Sequence, residues 1–575
     1  MSILIKGIDA SPGIAIGNVF VYEEKEINIS TKNIFDNEVS SEIEKLKNGQ
    51  NKTKTQLLQI KESTLKKLGA EKAEIFDGHI TLLEDEDLFD EVIEKIENDK
   101  ITASNALSLG IEEYCKIIGN LDDAYLRERV ADLRDISKRW IFNIEGIKPM
   151  DLGILEKNSI IIANDLTPSD TAQVNLDNVL AFVTEVGGKT AHSSIMARSL
   201  ELPAVVGTKE ILSKVKTGDK IIVDALKGNI IINPDKKEIT EYEEKRSIFF
   251  KEKEELAKLK DQSAITKDGK EIKIWGNIGN PKDVEGILKN GAQGIGLYRS
   301  EFLFMNSETF PTEEEQFIAY KTVAEKMEGK PVTIRTMDIG GDKDLPYMNL
   351  PKEMNPFLGW RAIRISLEFK DMFKTQLRAI LRASAFGTIK IMYPMIISSI
   401  EVKKANEILE ECKSELKSEN IIFNKNIQTG IMVETPAIAI RAKQIAREVD
   451  FFSIGTNDLT QYLLAADRGN EKISHLYSSF NPAVLQAIQM IIDGAHEAGI
   501  PVSMCGEFAG DDRATGILLG MGLDAYSMSG ISIPNIKKNI LNLSKKECAL
   551  LIDGLLAQTS SEEVLDYIEN NFKLI

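Results

Sequence analysis

The spacing of apolar residues separates a long helical stretch from several strand-rich stretches. The first 24 residues hold short strand-like runs that are broken by Pro12, Gly13 and Gly17. No proline occurs between Gly13 and Lys148, and apolar residues recur there at helical spacing with Lys and Glu between them. This pattern predicts a helical bundle over about residues 26–144.

A different pattern begins at about residue 145 and continues to residue 235. Short β-branched runs, such as SIIIAND and KIIVDALKGNIIINP, alternate there with helix-like segments. We therefore predict a β/α domain made of residues 1–25 and 145–235, into which the helical bundle is inserted. Residues 236–262 are laced with charges of both signs and predict one linker helix.

Eight short apolar segments, each followed by turn residues and a helical stretch, occupy residues 263–575. They are KIWGNIG, GIGLYRSE, VTIRTMDIGGD, IKIMYPMI, TGIMVETP, FFSIGTND, PVSMCGE and AYSMSGISI. Eight β/α units over this length predict a (β/α)₈ barrel. The predicted fold class is therefore multidomain α/β: a β/α domain with an inserted helical bundle, a linker helix and a C-terminal TIM barrel.

Composition narrows the classes of function. The chain has 575 residues and a formal net charge of −18, which disfavours general nucleic-acid binding because phosphate backbones are repelled. No apolar run is long enough for a transmembrane helix, and the N-terminus lacks the apolar core of a secretion signal, so we expect a cytoplasmic protein. The four cysteines form no CxxC pair that would indicate zinc binding or redox exchange, and we expect no disulfides in that compartment.

The predicted barrel strands end in polar residues that a packed core would not contain. These residues are Asn277, Arg299, Arg335, Glu434, Asn457, Asp458 and Cys505. Catalytic groups of such barrels sit at the carboxyl ends of the strands, so we expect the side chains to converge on one mouth. The alternative is a set of salt bridges that fasten the barrel rim.

The chemistry of this set indicates a small, multiply anionic substrate. Four arginines fall on or near the predicted mouth, namely Arg299, Arg335, Arg361 and Arg468. Guanidinium groups bind carboxylate and phosphate in bidentate fashion. Glu434 and Asp458 supply the two carboxylates that Mg²⁺ accepts beside substrate phosphate oxygens. Cys505 is a candidate proton donor to carbon, and a buried structural cysteine is the alternative.

A second motif, GGKTAHSSIMARSLELPAVVG, covers residues 187–207. Two glycines allow a tight turn after the strand AFVTEV, and His192 follows at a predicted helix start. Three hydroxyl residues surround this histidine, namely Thr190, Ser193 and Ser194. A helix N-terminus favours an anion, so His192 could carry a phosphoryl group as a covalent intermediate. The alternative is a structural or capping histidine.

In these motifs and in their order, the chain resembles the Enzyme I family of the phosphoenolpyruvate:sugar phosphotransferase system, the phosphoenolpyruvate–protein phosphotransferases. The resemblance rests on GGKTAHSSIMARSLELPA, GIGLYRSEFLFM, TIRTMDIGGDK, NPFLGWRAIR, VETPA, SIGTNDLTQYLLAADRGN, FNPAV and MCGEFAGD, and it covers essentially the whole length. It implies that phosphoenolpyruvate phosphorylates His192, that the phosphoryl group passes to a histidine of the phosphocarrier HPr, and that pyruvate is released in the first step of sugar uptake.

The resemblance also assigns residues and partners. It implies that Glu434 and Asp458 hold Mg²⁺ and that Cys505 protonates the enolate. The residues that it places on phosphoenolpyruvate are Arg299, Arg335, Asn457 and Arg468, with Asp458 and Arg361 as further candidates. It implies that the helical block 26–144 docks HPr and that the barrel 263–575 forms a homodimer.

The sequence departs from the family motifs at three positions. Ala191 stands where we expect serine, Lys189 where arginine is frequent, and Ser300 where threonine is usual. These changes bear on the rate and not on the reaction. Two rival functions stay open. A pyruvate phosphate dikinase or phosphoenolpyruvate synthase shares the histidine and the barrel but needs a nucleotide-binding domain, for which we find no motif. A non-catalytic scaffold would not need the intact Arg, Glu, Asp and Cys positions.

The stretch 70–100 combines strong negative charge with apolar residues. It holds twelve acidic and three basic residues, and its apolar residues include Ile75, Ile80, Leu82, Leu83, Leu88 and Phe89. This composition predicts a docking surface for a small protein with a basic rim and an apolar patch, which HPr would be by the resemblance. His79 would then contact the carrier and take no part in the chemistry. A solvated helical face is the alternative.

Overall fold

Two units, Met1–Glu252 and Lys253–Ile575, divide the chain in the computed structural model. The structure describes residues 2–22, 29–68, 73, 75–119, 124–147, 152, 155–171, 174–188, 192–200, 202–305, 307, 309–341, 345–348, 350–351, 353–470 and 472–572. None of the helices in these ranges combines the length and the apolar character that a membrane crossing would require.

The predicted helical bundle is present in the first unit. Its helices are α1 Val39–Leu68, α2 Ile75–Leu83, α3 Glu86–Asp99, α4 Ala103–Gly119 and α5 Ala124–Glu145. Their apolar faces meet in one core that contains Trp140, whose indole Nε1 donates a hydrogen bond to the carbonyl oxygen of Leu46 at 2.9 Å. Phe89 stacks on the same indole with ring centroids 6.2 Å apart. The bundle therefore has a hydrophobic core of its own.

The large apolar side chains of the acidic stretch 70–100 pack in or against this core. They therefore do not form the apolar part of the docking surface that the sequence predicted. Of the six apolar residues named from the sequence, Leu83 and Leu88 are buried in the core and the other four pack against it. His79 is also buried, with its Nε2 3.3 Å from Oδ1 of Asp132, so the prediction that it contacts a carrier is wrong. Helices α2 and α3 are amphipathic, and their apolar side chains turn inward while the carboxylates stay in solvent.

An eight-stranded mixed sheet forms most of the rest of the first unit. Its strands are β1 Ile3–Lys6, β2 Ile8–Ser11, β3 Ile14–Tyr22, β4 Ser159–Ala163, β5 Val179–Thr184, β6 Ala204–Val206, β7 Lys220–Asp224 and β8 Asn229–Ile232. The spatial order is β1-β8-β7-β3-β4-β5-β6-β2. Strands β3 and β4 are parallel neighbours although the helical bundle lies between them in sequence. The predicted β/α fold with an inserted helical bundle is confirmed.

Three further α-helices of this part of the chain lie within the described residues. Two of them are short, α6 Pro168–Thr171 and α7 His192–Ser199. The third, α8 Lys236–Lys258, follows β8 and contains the boundary between the two units. One helix was predicted over residues 236–262, and the observed helix ends at Lys258 before a turn.

The second unit contains the predicted closed barrel of eight parallel strands. They are β9 Lys273–Ile278, β10 Ile295–Arg299, β11 Val332–Arg335, β12 Ile389–Tyr393, β13 Gln428–Val433, β14 Phe451–Ile454, β15 Val502–Met504 and β16 Ala525–Met528. Pairing of β16 with β9 closes the ring. Each of the eight apolar segments named from the sequence supplies one of these strands, so that prediction is confirmed.

Helices alternate with the barrel strands and cover them. They are α9 Asp283–Lys289, α10 Glu301–Met305, α11 Glu313–Lys326, α12 Ile363–Glu368, α13 Lys370–Ala383, α14 Ser399–Ser418, α15 Pro436–Ile440, α16 Ala442–Ile445, α17 Thr456–Leu464, α18 Pro482–Ala498, α19 Thr515–Met521, α20 Ile533–Asn542, α21 Lys545–Leu556 and α22 Ser561–Asn571. One continuous apolar core joins the helices to the strands. The barrel is therefore a rigid frame for the groups at its strand ends.

A buried lysine fastens the turn that follows α8. Lys537 lies on α20, and its ammonium group donates to the carbonyl oxygens of Leu259, Lys260 and Gly291 at 3.1, 2.8 and 3.3 Å. Burial lowers the pKa of Lys537. Three hydrogen bonds satisfy all donors of the ammonium group, which a buried cation requires.

Candidate active site

The carboxyl ends of the barrel strands enclose a cavity of about 480 Å³. Eight residues singled out from the sequence line it, namely Arg299, Arg335, Arg361, Glu434, Asn457, Asp458, Arg468 and Cys505. Asn277 was expected among them but is not part of the lining. Its Nδ2 donates to the carbonyl oxygen of Cys505 at 2.9 Å, and its Oδ1 accepts from the Ser527 hydroxyl at 2.6 Å. Asn277 therefore holds the backbone that carries the thiol.

Arg335 ends β11 with two carboxylates around its guanidinium group. It is ion-paired with Glu301, and its Nη1 lies 2.9 Å from Oδ2 of Asp338. Burial opposes the positive charge, but the two carboxylates outweigh that effect and hold the pKa of Arg335 above its usual value. The guanidinium group is therefore a fixed positive charge in the cavity wall.

Asp338 also binds Arg361, so one carboxylate joins two arginines. Nη2 of Arg361 donates to the two oxygens of Asp338 at 3.0 and 3.2 Å, and Nη1 lies 3.3 Å from Oδ1 of Asp458. Burial opposes this charge too, and the carboxylates raise the pKa of Arg361. Gly340 makes the close approach possible, because it has a φ of +98° and a Cβ there would lie 2.6 Å from the Cβ of Arg361.

Two acidic partners of these arginines were missed in the sequence. Glu301 and Asp338 stand within the segments GIGLYRSE and TMDIGGD, two and three residues after a strand-end arginine. This closeness in sequence to a strand-end arginine was the signal that could have identified them. Their presence means that Arg335 and Arg361 carry partners inside the protein, as the salt-bridge alternative supposed. The same two arginines still face the cavity.

Glu434 follows β13 and has one carboxylate oxygen without a partner. Its Oε1 accepts a hydrogen bond from the backbone N of Met395 at 2.6 Å, whereas its buried Oε2 has no hydrogen-bond partner among the described residues. Burial, together with the carboxylates of Asp458 and Asp338, raises the pKa of Glu434. Met395 has a φ of +56°, a strained backbone state of the kind that collects at functional sites. A cation beside Glu434 and Asp458 would offset their repulsion and occupy the unpaired oxygen.

The charge of the cavity lining leads to the same conclusion. Four arginines face five carboxylates, namely Glu301, Asp338, Glu434, Asp458 and Glu507. The lining has a negative formal charge with all of these groups ionised and is neutral with Glu434 protonated, so in neither state does it offset the charge of a multiply anionic ligand, which needs a further positive charge. Within the described parts of the chain, no cluster of three or more His, Cys, Asp or Glu side chains is arranged to hold a metal ion. Mg²⁺ fits a site of only two carboxylates, because substrate and water oxygens complete its coordination.

Cys505 follows β15 and contributes a buried thiol to the cavity wall. Its Sγ lies 3.7 Å from the carbonyl oxygen of Ile454, to which it donates a weak hydrogen bond. Burial raises the pKa of the Cys505 thiol, so the group is protonated at neutral pH. The next residue, Gly506, packs so closely on Thr456 that a Cβ would lie 1.8 Å from its Oγ1. The backbone that presents the thiol is thus fixed on both sides.

Asn457 and Arg468 complete the mouth. The Oδ1 of Asn457 accepts from the backbone N of Glu507 at 3.3 Å, and its carbonyl oxygen accepts from the Tyr477 hydroxyl at 3.0 Å. The guanidinium carbon of Arg468 lies 5.8 Å from the ring centroid of Phe357, within cation–π range. Both side chains are therefore positioned by neighbours before any ligand binds.

His192 belongs to the first unit, where it is the first residue of α7. The preceding turn contains Gly187 with a φ of +106°, and the Ser194 hydroxyl donates to the carbonyl oxygen of Gly188 at 2.7 Å. Ser193 is buried, and its hydroxyl has no partner in the described structure. The first amides of a helix lack partners within the helix and suit an anion. Four residues of the motif lie outside the described residues, namely Lys189, Thr190, Ala191 and Glu201.

Three family matches follow one another along the chain. The family described as PEP-utilising enzyme, N-terminal, matches residues 6–129, and the mobile domain of PEP-utilising enzymes matches residues 155–228. The PEP-binding domain of PEP-utilising enzymes matches residues 253–545, which include all eight strands of the barrel.

Relatives of the same length share about half of the sequence. Proteins named phosphoenolpyruvate-protein phosphotransferase from Haemophilus influenzae, Buchnera aphidicola subsp. Schizaphis graminum and Bacillus subtilis are 51%, 52% and 48% identical to this chain. The matches cover 98%, 98% and 99% of this chain and 98%, 99% and 100% of those proteins. On the order of its domains and this full-length similarity, the chain belongs to the phosphoenolpyruvate-protein phosphotransferase family, the Enzyme I family that its motifs indicated.

Proposed function

We propose that the protein transfers the phosphoryl group of phosphoenolpyruvate to His192 and then to a histidine of the phosphocarrier HPr, releasing pyruvate, in the first step of sugar uptake. The observation that carries this proposal is the barrel cavity, which gathers four arginines, a close pair of carboxylates and a buried thiol. Phosphoenolpyruvate presents a carboxylate and a phosphate on one small enol, which matches this set of groups. We assign the reaction to the cytoplasm, the compartment expected from the sequence.

The lining residues divide the work of binding. In this proposal Arg299, Arg468 and Asn457 contact the carboxylate and phosphate oxygens of the substrate, while Arg335 and Arg361 act from the cavity wall where carboxylates hold them. Glu434 and Asp458 hold Mg²⁺, which supplies positive charge to the phosphoryl oxygens when bound. The unpaired Oε2 of Glu434 supports that assignment.

The chemistry then needs one nucleophile and one acid. A ring nitrogen of His192 forms a bond to phosphorus while the bond from phosphorus to the enol oxygen breaks, which leaves the enolate of pyruvate. The S–H group of Cys505 gives its proton to the terminal carbon of that enolate, and water returns a proton to the thiolate. His192 and the cavity belong to different units, so transfer requires them to meet, and we propose α8 as the pivot.

We further propose that the acidic face of α2 and α3 docks HPr. Glu86, Asp87 and Asp90 are exposed on this face, and Glu84, Glu86 and Asp90 line a surface cavity of about 370 Å³. Charge complementarity with a basic partner mainly raises the association rate. We also propose a homodimer through the barrel, supported by exposed apolar side chains in its segments 302–310 and 354–369.

Replacing His192 with alanine should abolish phosphorylation of the protein. The test is mass spectrometry after incubation with phosphoenolpyruvate and Mg²⁺, which should show one added phosphoryl group on the native protein and none on the His192→Ala variant. Pyruvate should appear in equal amount to the phosphoprotein, and with HPr present it should form catalytically. Formation of ATP from added AMP would instead indicate a synthase or dikinase. An acid-labile phosphate that persists on the variant would place the nucleophile elsewhere.

Removing either carboxylate of the proposed metal pair should weaken the response to Mg²⁺. Glu434→Gln and Asp458→Asn each remove one of two protein ligands, so the half-saturating Mg²⁺ concentration should rise at least about 10- to 100-fold. The measurement is a Mg²⁺ titration of pyruvate release. Glu507→Gln is the matched control, since it removes a carboxylate from the same lining without touching the pair. Unchanged half-saturation in both variants contradicts the metal assignment.

Cys505→Ser should slow pyruvate formation by about 10²- to 10⁴-fold while the KM for phosphoenolpyruvate stays close to native. Serine is a much weaker acid than cysteine and protonates an enolate poorly. Burial raises the pKa of the Cys505 thiol, so the native rate should show no loss from thiol ionisation as the pH rises through about 8.5. Cys412→Ser, which alters a buried cysteine outside the cavity, is the control. Native turnover in Cys505→Ser would return this residue to a structural role.

Reversing charge on the acidic face should slow transfer to HPr but not phosphorylation of His192. Asp85 is unsuitable for this test, because its Oδ1 caps α3 by accepting from the backbone N of Leu88 at 2.8 Å. We therefore choose the double variant Glu86→Lys and Asp90→Lys, and expect a lower transfer rate with a flatter salt dependence.

The control for that experiment makes the same change in net charge on the barrel. Glu562→Lys with Glu569→Lys alters two exposed carboxylates of α22 and should leave transfer to HPr at the native rate. If the α3 variant also phosphorylates HPr at the native rate over the whole range of salt, docking occurs on another surface.

A further inference from the structure

A polar side chain is buried behind the strand end that carries Arg335. Gln376 lies on α13 and is only 2% exposed, and its neighbours on the same helical face, Phe373 and Ile380, are buried apolar residues. Gln376 does not line the cavity. A primary amide in such surroundings is unfavourable unless its donors and its acceptor are all satisfied.

The amide of Gln376 is satisfied by groups at the end of β11 and beside it. Its Oε1 accepts from the backbone N of Met337 at 2.9 Å. Its Nε2 donates to the Ser300 hydroxyl at 3.0 Å and to the Tyr320 hydroxyl at 3.2 Å. Ser300 in turn donates its own hydrogen to the carbonyl oxygen of Arg335 at 2.6 Å. The backbone donor of Met337 fixes which way the amide faces.

These bonds hold the short turn that leaves the strand. The carbonyl of Arg335 and the amide of Met337 are both tied to Gln376, and the amide of Thr336 between them donates to the carbonyl oxygen of Met392 at 3.0 Å. Asp338 is the next residue. Three consecutive backbone positions are thus fixed just where the chain presents one guanidinium group and one carboxylate to the cavity.

We propose that Gln376 is a positioning residue for the phosphoryl-transfer site, an inference that rests on the proposed function. It touches no substrate. It acts through Ser300 and Met337 on Arg335 and Asp338, and Asp338 extends that effect to Arg361. A displacement of about 1 Å in such a set can cost on the order of 10²-fold in rate.

The first test compares two buried glutamines. Gln376→Leu keeps the shape but loses every hydrogen bond, and we expect kcat for phosphorylation of His192 by phosphoenolpyruvate to fall about 10²-fold. Gln316→Leu is the matched control. Gln316 is 1% exposed and bonds Pro311 and Tyr320, and it makes no bond to the end of β11. Thermal unfolding of both variants checks that the barrel remains folded.

The second test uses a side chain whose donor can be titrated. In Gln376→Glu the carboxyl group can accept from Met337 in either protonation state, but it can donate to Ser300 only when protonated. The kcat of this variant should therefore rise as the pH falls. This limb of the pH–rate profile should be absent from the native protein and from Gln376→Leu. A merely structural role would not produce that limb.

The outcomes are distinct. Native kcat in Gln376→Leu, an equal loss in Gln316→Leu, or no added pH limb in Gln376→Glu overturns the inference while the proposed function stands. A native protein that phosphoenolpyruvate does not phosphorylate overturns both. If Gln376→Leu fails to fold, Ser300→Ala decides, because it removes the hydroxyl that joins Gln376 to the Arg335 carbonyl and leaves the bonds of Gln376 to Met337 and Tyr320 in place. A loss of about 10-fold supports the inference, and the native rate overturns it.

Discussion

The site depends on the compensation of charges that are buried at the end of a barrel. Two guanidinium groups, those of Arg335 and Arg361, lie out of water and need carboxylates beside them, since an unpaired buried charge is strongly destabilising. Asp338 meets that need for both at once. The position of one side chain therefore sets the positions of two others. The remaining carboxylates, Glu434 and Asp458, lie at the same end of the barrel, and a cation beside them would offset their mutual repulsion.

This compensation of charge gives the four arginines two different roles. Arg335 and Arg361 are already paired, so they contribute a stable local field and need no rearrangement when charge develops on a ligand. Arg299 and Arg468 lie at the mouth, where a substrate can reach them. A site of this kind keeps its shape when empty, because its own carboxylates occupy the donors that a ligand would otherwise have to organise. The buried hydrogen bonds around Gln376 serve the same end from behind the strand.

Much of this arrangement could be predicted from the sequence. The eight barrel strands are short apolar runs bounded by turn residues, and the polar strand ends had to converge once a closed parallel barrel was inferred. The residues that hold the arginines in place were harder to predict. Glu301, Asp338 and Gln376 occur in segments that read as ordinary helices and turns in the sequence, and only the fold buries them. The apolar residues of the acidic stretch 70–100 were misjudged for a related reason. Its composition shows charge and apolar residues together, but the helical period decides that leucines such as Leu88 point inward.

The order of strands in the first unit has a consequence for how the chain folds during synthesis. Strand β1 pairs with β8 through Ile3 and Ile232, and β3 pairs with β4 across the helical insertion. At about 5–20 residues per second, the ribosome needs on the order of 10–40 s to deliver the partners of the first strands. During that interval the early strands have unpaired edges, which can pair with strands of other chains. The helical bundle has a core of its own, so it can form before the sheet is complete and bring β3 and β4 together.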